Sequence, residues 1–393
     1  MTTLEIAIAG AGIGGLTAAA LLSRQGHRVR VFDRFEAPRP VGSGLVIQPV
    51  GQAVLDAIGA GAEAMARGAR IWRMHGIEAD SGRTVLKVDY GAQGGARFGL
   101  AIQRPALFDA VLGAARSGGA ELVAGHEVLA RDERFLVFSD GTRAGPFELV
   151  IDASGTNSRL SPLVSTPLPF GAIWATVPRP AGLELPEGQL CQRYRRADRM
   201  VGVMPSGTRN GADWEATTIF WSLPARGYDS WRRAGLSAWR DEVASLWPEA
   251  LPAFEEVNDP DQMTFATYTH GTLRAVASPG FAIIGDAAHR ASPQLGQGAN
   301  MAMLDAMALG LALERFPVEE ALRHYRMARR WHVWLYQAMS RAFTPQYQSD
   351  SRVLPVLRDR ALYPLSAVPP IPAILTRLVC GDLIPPMASL TGR

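Results

Sequence analysis

The run GAGIGG at residues 10–15 constrains this chain more than any other feature. A short apolar, β-competent stretch from Leu4 to Ala9 leads into it, and an alanine-rich helical pattern from Gly14 to Gln25 leads out, closed by Gly26. A second strand, Val29 to Phe32, ends on Asp33. This is the order and length of a βαβ unit. Within it Gly10 permits a tight turn, Gly12 lets a pyrophosphate approach the backbone and Gly15 lets the helix close on the sheet, while helix N-terminal amides face the phosphates. Asp33 lies 23 residues beyond Gly10, where a carboxylate accepts hydrogen bonds from a ribose diol. Arg34 follows it directly, but Asp33 would repel a 2′-phosphate, so FAD or NAD is expected here rather than NADP.

At 393 residues the chain has room for one large domain with a second layer inserted or appended. Its 47% hydrophobic and 20% charged residues exclude disorder and a polar repeat array. A nucleic-acid partner is not expected. Net charge is only +3, and the basic residues, all arginine except Lys87, are spread as in Arg193, Arg195, Arg196 and Arg199, without a dense run. Cys191 and Cys380 stand far apart with no CxxC, which predicts neither a metal site nor a disulfide framework and suits a reducing cytoplasm. The apolar stretch Ile6 to Leu22 lacks a basic leader and is broken by glycines, so it reads as strand, turn and helix. No other stretch reaches the roughly 18 apolar residues of a membrane span. A cytoplasmic monomer or homodimer is the expectation.

Further along, helical spacing covers Val54 to Ala66 and Pro105 to Ser117, while Glu121 to Val123, Phe135 to Phe138 and Leu149 to Ile151 read as strands. From Pro167 to Thr269 the segments alternate and are rich in aromatics. Ala172 to Val177, Gln189 to Tyr194, Met200 to Met204 and Thr217 to Leu223 predict a mainly antiparallel sheet, with a helix from Ser230 to Leu246 packed on it. Phe281 to Ile284 then restores a buried parallel-type strand, followed by GDAAH and a long apolar helix from Ala299 to Leu313. Prolines beyond Ala342 predict broken helix and loop. The expected architecture is α/β, a Rossmann-like FAD domain from residues 1–165 and 275–340, an inserted substrate-binding domain at 166–274 and a helical cap at 341–393.

The segment GFAIIGDAAHRASPQLGQGANMAMLDA, residues 280–306, resembles the single-component FAD-dependent monooxygenases related to aromatic-ring hydroxylases. The resemblance implies that Asp286 binds the ribityl chain of FAD and that Pro293, Gly296, Gly298 and Asn300 pass the isoalloxazine. Physics agrees: a carboxylate suits a polyol, closely packed glycines let amides reach a ring edge, and a helix beginning near Asn300 aims its positive end at the negative locus of a reduced flavin. It further implies that Arg104, in AIQRPAL, lies near the FAD phosphates, that GSGLVIQP at 42–49 runs along the flavin through Gly44 and Leu45, and that the backbone of Val128 meets adenine. By motif the likeness covers residues 1–160 and 275–335.

In the family a second motif near the pyrophosphate reads G-A-D-G-x-x-S-x-x-R. Here Asp152 to Ser161 reads DASGTNSRLS, so Ser154 replaces the central acid and Ser161 the terminal arginine. The substitution bears on how NADH or NADPH engages the flavin. No second G-x-G-x-x-G is present, which fits a nucleotide that visits only transiently. The chemistry implied by the resemblance is reduction of FAD by NAD(P)H, addition of O2 at flavin C4a, and delivery of one oxygen atom from the hydroperoxide to an aromatic or polyketide-like substrate in a water-poor pocket.

No catalytic side chain is assigned and no metal is expected, since neither a hydrolase elbow nor HExxH occurs. Trp174, Tyr194, Met204 and Trp221 either line an aromatic substrate pocket or form sheet core. His289 is expected to hydrogen bond to backbone, and His270 to lie at the surface. Two alternatives stay open: a flavin dehydrogenase or reductase, and a flavin-binding protein without turnover. A halogenase lacks its catalytic lysine and W-x-W-x-x-P signature here.

Overall fold

The computed structural model describes residues 2–36, 43–92, 94–208 and 214–391. Its first sheet is built by the βαβ unit. β1 (Glu5–Ala9) lies between β12 (Leu149–Asp152) and β2 (Arg28–Phe32), followed outward by β19 (Phe281–Ile283) and the edge strand β18 (Ala277–Ser278) on one side, and by β8 (Glu121–Val123) on the other. All pairings except β18 with β19 are parallel. Ile6, Ala7 and Ile8 are wholly buried, as expected of a strand covered on both faces. On one face α1 (Ile13–Arg24) packs against α4 (Arg104–Ser117) and α7 (Gly298–Leu313). Small residues set that closeness: a Cβ on Gly14 would meet the Ala302 methyl at 3.1 Å, and one on Gly310 would meet Leu21 at 2.2 Å. A three-stranded meander, β9 (Val128–Asp132), β10 (Phe135–Phe138) and β11 (Arg143–Ala144), packs on the other face through Phe138 and Phe147.

The second large sheet has eight strands in the order β20 (His289–Arg290), β17 (Thr264–Thr272), β13 (Thr166–Pro178), β16 (Glu215–Pro224), β15 (Arg199–Thr208), β14 (Gln189–Arg195), β5 (Arg73–Glu78) and β6 (Thr84–Asp89). It is antiparallel except between β14 and β5. The segment 166–274 therefore does not build this sheet alone. Residues 73–89, in the part read from sequence as cofactor domain, supply two of its strands. A small sheet of β3 (Gly44–Ile47), β7 (Gly99–Gln103) and β4 (Ala69–Ile71) bridges the halves.

Two expected helices are interrupted by glycine. Val54 to Ala66 divides into α2 (Pro49–Ala57) and α3 (Gly61–Arg67), because Gly59 takes φ +79°. Apolar spacing continues through Ile58, which hides the break. α5 (Tyr228–Leu246) kinks at Gly235, with φ +80°, and α6 (Leu251–Glu255) follows. The last part of the chain holds α8 (Val318–Tyr347), which continues past Ala342 through Pro345, then α9 (Leu354–Leu357), α10 (Tyr363–Ser366), α11 (Ile371–Cys380) and α12 (Ala388–Thr391).

Candidate functional site

Each glycine of the dinucleotide turn has a separate cause. Gly10 takes φ +103°, and a Cβ there would lie 2.6 Å from the Ala153 carbonyl oxygen; one on Gly15 would lie 2.0 Å from that of Gly10. Gly12 has nothing within 4 Å of a Cβ position, so it opens onto free space. It also caps α1 without a side-chain hydrogen bond, leaving the first amides of a 12-residue helix facing that space. An anionic pyrophosphate fits this cradle. The Asp33 carboxylate accepts from the Ala11 amide at 2.7 Å and the Phe35 amide at 3.0 Å. It thus shapes the turn as well as standing where a ribose would come. Arg34 stacks on Phe35, 4.9 Å from the ring centre. Val128 opens β9, with its side chain half-buried against the cluster of Phe32, Phe138 and Phe147.

β12 ends at the buried Asp152, and the substituted serines explain themselves there. The Asp152 carboxylate accepts from the Ser154 amide at 3.1 Å, from the Ser154 hydroxyl, and from the Ser158 hydroxyl at 2.6 Å. Ser161 donates to the Ala287 carbonyl at 2.6 Å. Ser154, in place of the family acid, therefore braces Asp152 within its own loop, while Ser161, in place of the arginine, ties the loop to GDAAH by one neutral bond.

In that second loop Gly285 takes φ +62°, with a Cβ position 3.0 Å from the Ala302 methyl. Asp286 keeps an exposed surface, yet the protein packed around it desolvates its carboxyl and raises it above the usual range, against the pull of His289, Arg104 and Arg290. The fold thus brings Arg104, at the first position of α4, into the field of Asp286 from 182 residues away in sequence.

Behind this surface lies a polar network that the sequence reading missed. Asp305 is 1% exposed; its carboxylate accepts from the Gly285 amide at 2.9 Å and from Arg329 Nε at 2.7 Å, and meets His289 Nε2 at 2.6 Å. Burial alone would raise its pKa, but His289 and Arg329 hold it well below the usual carboxylate range. The partner of His289 is this carboxylate, not the backbone acceptor expected. Arg329 Nη1 continues to His332 Nδ1 at 3.2 Å and the Pro386 carbonyl at 3.3 Å, and His332 Nε2 reaches the Gly381 carbonyl at 2.8 Å. Burial, then Arg329, lowers His332 to about 3. The signal was Asp305 in NMAMLDA, the second acid of the 280–306 segment, which lies among apolar residues of its helix.

The loop Pro293 to Gly298, where the resemblance expects a flavin ring to pass, is a tight turn running into a helix. Ser292 accepts from the Gln294 amide, Pro293 begins a single 3-10 turn, and Gly296 closes it at φ +59°. α7 begins at Gly298, two residues before Asn300, and Gly298 has open space at its Cβ position. Asn300 is wholly buried. Its side chain accepts from the Gln48 amide at 2.9 Å and donates to the carbonyls of Gly296 at 2.9 Å and Val46 at 3.3 Å, so it secures the loop, and only its main chain is left for a ligand. Gln48, unremarked in the sequence reading, is buried beside it. Its Oε1 accepts from Tyr90 at 2.7 Å, while its Nε2, 3.2 Å from a Cβ position on Gly296, has no partner among the described residues. A buried donor in that state awaits an acceptor, as the polar edge of a flavin provides. Gly44 is glycine because β3 crosses close to β16, with Thr218 Oγ1 2.3 Å from a Cβ position. Leu45 pairs with Ile102 in the bridging sheet, and the Gly42 end of GSGLVIQP lies outside the described residues.

The eight-stranded sheet presents one face to this loop. Gln294 Nε2 approaches Met200 Sδ at 3.8 Å, and Met200, Met204, Phe220, Tyr194 and Trp174 form one cluster. Trp174 is half-buried, stacked at a tilt 4.6 Å from Phe220, and donates through Nε1 to the Tyr268 hydroxyl at 3.0 Å. Burial pushes that hydroxyl up to about 12. Tyr194 is fully packed between Tyr347 and the Arg358 guanidinium, so it anchors the C-terminal segment rather than a ligand, and Met204 is buried beside it. Trp221 belongs to the opposite face, with Trp239 and Phe254. Strand alternation is the reason: neighbours Phe220 and Trp221 must point apart. Gln103 joins the halves, donating to Ser206 at 2.6 Å and accepting from Thr176 at 2.7 Å. His270, expected at the surface, is half-buried and meets Ser340 of α8 at 3.0 Å.

Comparison with known proteins agrees with this geometry. A family model described as an FAD binding domain matches residues 3–141 and 170–339. A probable 2-heptyl-3-hydroxy-4(1H)-quinolone synthase of Rhodococcus erythropolis is 31% identical over 93% of this chain and 92% of its own. A 6-methylpretetramide 4-monooxygenase of Streptomyces rimosus is 26% identical over 96% and 92%. In fold the chain matches a crystal structure of a mutant 2-methyl-3-hydroxypyridine-5-carboxylic acid oxygenase, with TM-score 0.79 and 22% identity over 95% of this chain and 96% of that one. The open glycine turn, the GDAAH loop and the matched length together carry the conclusion that this chain belongs to the FAD-binding family of single-component monooxygenases related to the aromatic-ring hydroxylases.

Proposed function

We propose that this enzyme uses NADH or NADPH and O2 to place one oxygen atom on a small, electron-rich aromatic or polyketide-like ring. The observation that carries the reading is the facing of two surfaces across Gln294 and Met200: the Pro293–Gly298 loop with its unpartnered Gln48 donor, and the sheet face bearing Trp174 and Tyr268. FAD, once reduced, supplies the activation of O2. The protein's own groups do the rest. Amides at the start of α1 hold the pyrophosphate, Asp286 accepts from the ribityl hydroxyls, and Arg104 balances phosphate charge. Gln48 Nε2 donates to the ring edge, and the uncapped start of α7 favours the negative charge that reduction brings.

On the other side the Trp174 ring offers a stacking surface. The Tyr268 hydroxyl, already accepting from Trp174, has its proton left to donate to a phenolate or carbonyl on the substrate, and its raised pKa keeps it protonated at neutral pH. Apolar Met200, Met204 and Phe220 exclude water that would waste reducing equivalents as peroxide. Compounds named for the relatives, an alkylated hydroxyquinolone as the product of a synthase and a methylpretetramide as the substrate of a monooxygenase, fall in this chemical range. The test is an isotope experiment: with 18O2, the correct substrate accelerates nicotinamide oxidation and the product carries one labelled atom. Label from water, or turnover without oxygen through another acceptor, assigns the protein instead to dehydrogenase chemistry.

A further inference from the structure

Charge is divided unevenly along this chain. Residues 321–393 hold ten arginines and three aspartates, with no lysine or glutamate, while the remainder has more acids than bases. The same region leaves large apolar side chains in solvent. Trp331 and Trp334 on α8 are 56% and 57% exposed and meet edge to face, 5.9 Å between ring centres. Val356, Leu365, Val368 and Ile374 are exposed on the stretch from α9 to α11. That stretch lies beside α8, since Leu375 and Leu378 pack with Tyr336, Met339 and Phe343. Around these apolar groups stand Arg323, Arg326, Arg330, Arg352 and Arg360, all exposed and none with a carboxylate partner among the described residues.

We infer that the outer face of these C-terminal helices is a peripheral docking surface for bilayers containing anionic lipids. Exposed tryptophan and branched aliphatic side chains enter the headgroup boundary, and unpaired arginines meet lipid phosphates and carboxylates. The helices lie on the membrane and do not cross it. Among the described residues no single helix is long and apolar enough to span; there only the pair Leu354–Ser366 and Ile371–Cys380 reaches the length and composition, and it is bent by 103°. Its inner side is also committed to the protein: Arg358 is 1% exposed, donates to the Arg196 and Gln346 carbonyls at 3.0 and 2.9 Å, and stacks on Tyr194 and Tyr347. Positive charge selects an anionic bilayer over a second copy of the chain, whose equivalent face would carry the same arginines and repel.

Vesicle flotation of the full, FAD-loaded chain tests this, using phosphatidylcholine alone and phosphatidylcholine enriched in phosphatidylglycerol. The protein floats with the anionic vesicles only, and rising salt releases it. Replacing Trp331→Ser together with Trp334→Ser lowers partition at least tenfold without changing flavin content. Arg326→Gln and Arg330→Gln each lower it by roughly fivefold. No flotation with anionic vesicles, equal flotation with neutral ones, or full partition of the tryptophan variant overturns the inference. So does the assignment of the face to a second copy, which would appear as a dimer on size-exclusion chromatography that the tryptophan variant dissociates.

Discussion

The two large sheets stand for opposite relations between sequence and site. In the parallel sheet, the proposed cofactor seat is backbone: open space at Gly12 and Gly298, positive φ at Gly10, Gly285 and Gly296, and two carboxylates at strand ends. In the antiparallel sheet, the proposed substrate wall is one face of strands whose other face is an equally aromatic core. A backbone cradle demands glycine at fixed spacing and so announces itself. A side-chain wall demands only bulk, which core packing demands as well. Motifs are therefore informative at the backbone cradle and silent at the side-chain wall.

The sharpest way to break that comparison is at the join between the cofactor half and the C-terminal helices. Arg329→Met leaves Asp305 buried without its guanidinium, and should cost about 3–5 kcal/mol of stability, read by denaturant unfolding, with loss of flavin in parallel. Unchanged stability would mean that the network is ornamental. Trp221→Ala is next. As the opposite-face core residue it should cost about 3 kcal/mol or more while leaving KM for substrate untouched. Trp174→Ala, on the site face and only half-buried, should do the reverse, raising KM with a smaller stability loss. If the two variants behave alike, the two faces are not functionally distinct.

Smaller effects sharpen the cofactor side. Asp286→Ala removes a charge-assisted acceptor and should weaken FAD binding by about 1.5–3 kcal/mol, measured by titration of apoprotein; equal affinity would place the ribityl chain elsewhere. A separate effect is in pH. His332 stays neutral in the fold down to about 3, whereas in the unfolded chain it gains a proton below about 6.5. The unfolded state therefore binds more protons in that window, and stability falls as pH drops through it. His332→Gln keeps a donor toward Gly381 and an acceptor for Arg329, and should flatten the slope between pH 6 and 4 in a series of urea melts. A slope that survives belongs to another group.

Legibility followed the same division. The βαβ unit, the return of a parallel strand at Phe281 and the apolar helix after GDAAH are local patterns, and each lies within a few residues of its expected place. β5 was invisible because its run RMHGIE is neither strongly alternating nor apolar; it becomes a strand through pairing with β14, more than a hundred residues later, and β6 joins the sheet by pairing with it. Gln48 could have been suspected as the lone amide inside GLVIQP, but its idle Nε2 is a property of packing. Trp174 and Trp221 could be separated only by register, since which of two alternating aromatics faces the ligand depends on which sheet face the flavin loop crosses.

The reach of Asp305 to Arg329, His332 and the carbonyls of Gly381 and Pro386 has a consequence for assembly in time. A ribosome delivers the phosphate turn first and these partners last. Until residue 386 has emerged, Arg329 and His332 lack their carbonyl partners, and the network behind the loop that carries Asp286 is incomplete. Nascent chains should accordingly acquire flavin late and in one step, after translation of the last helices.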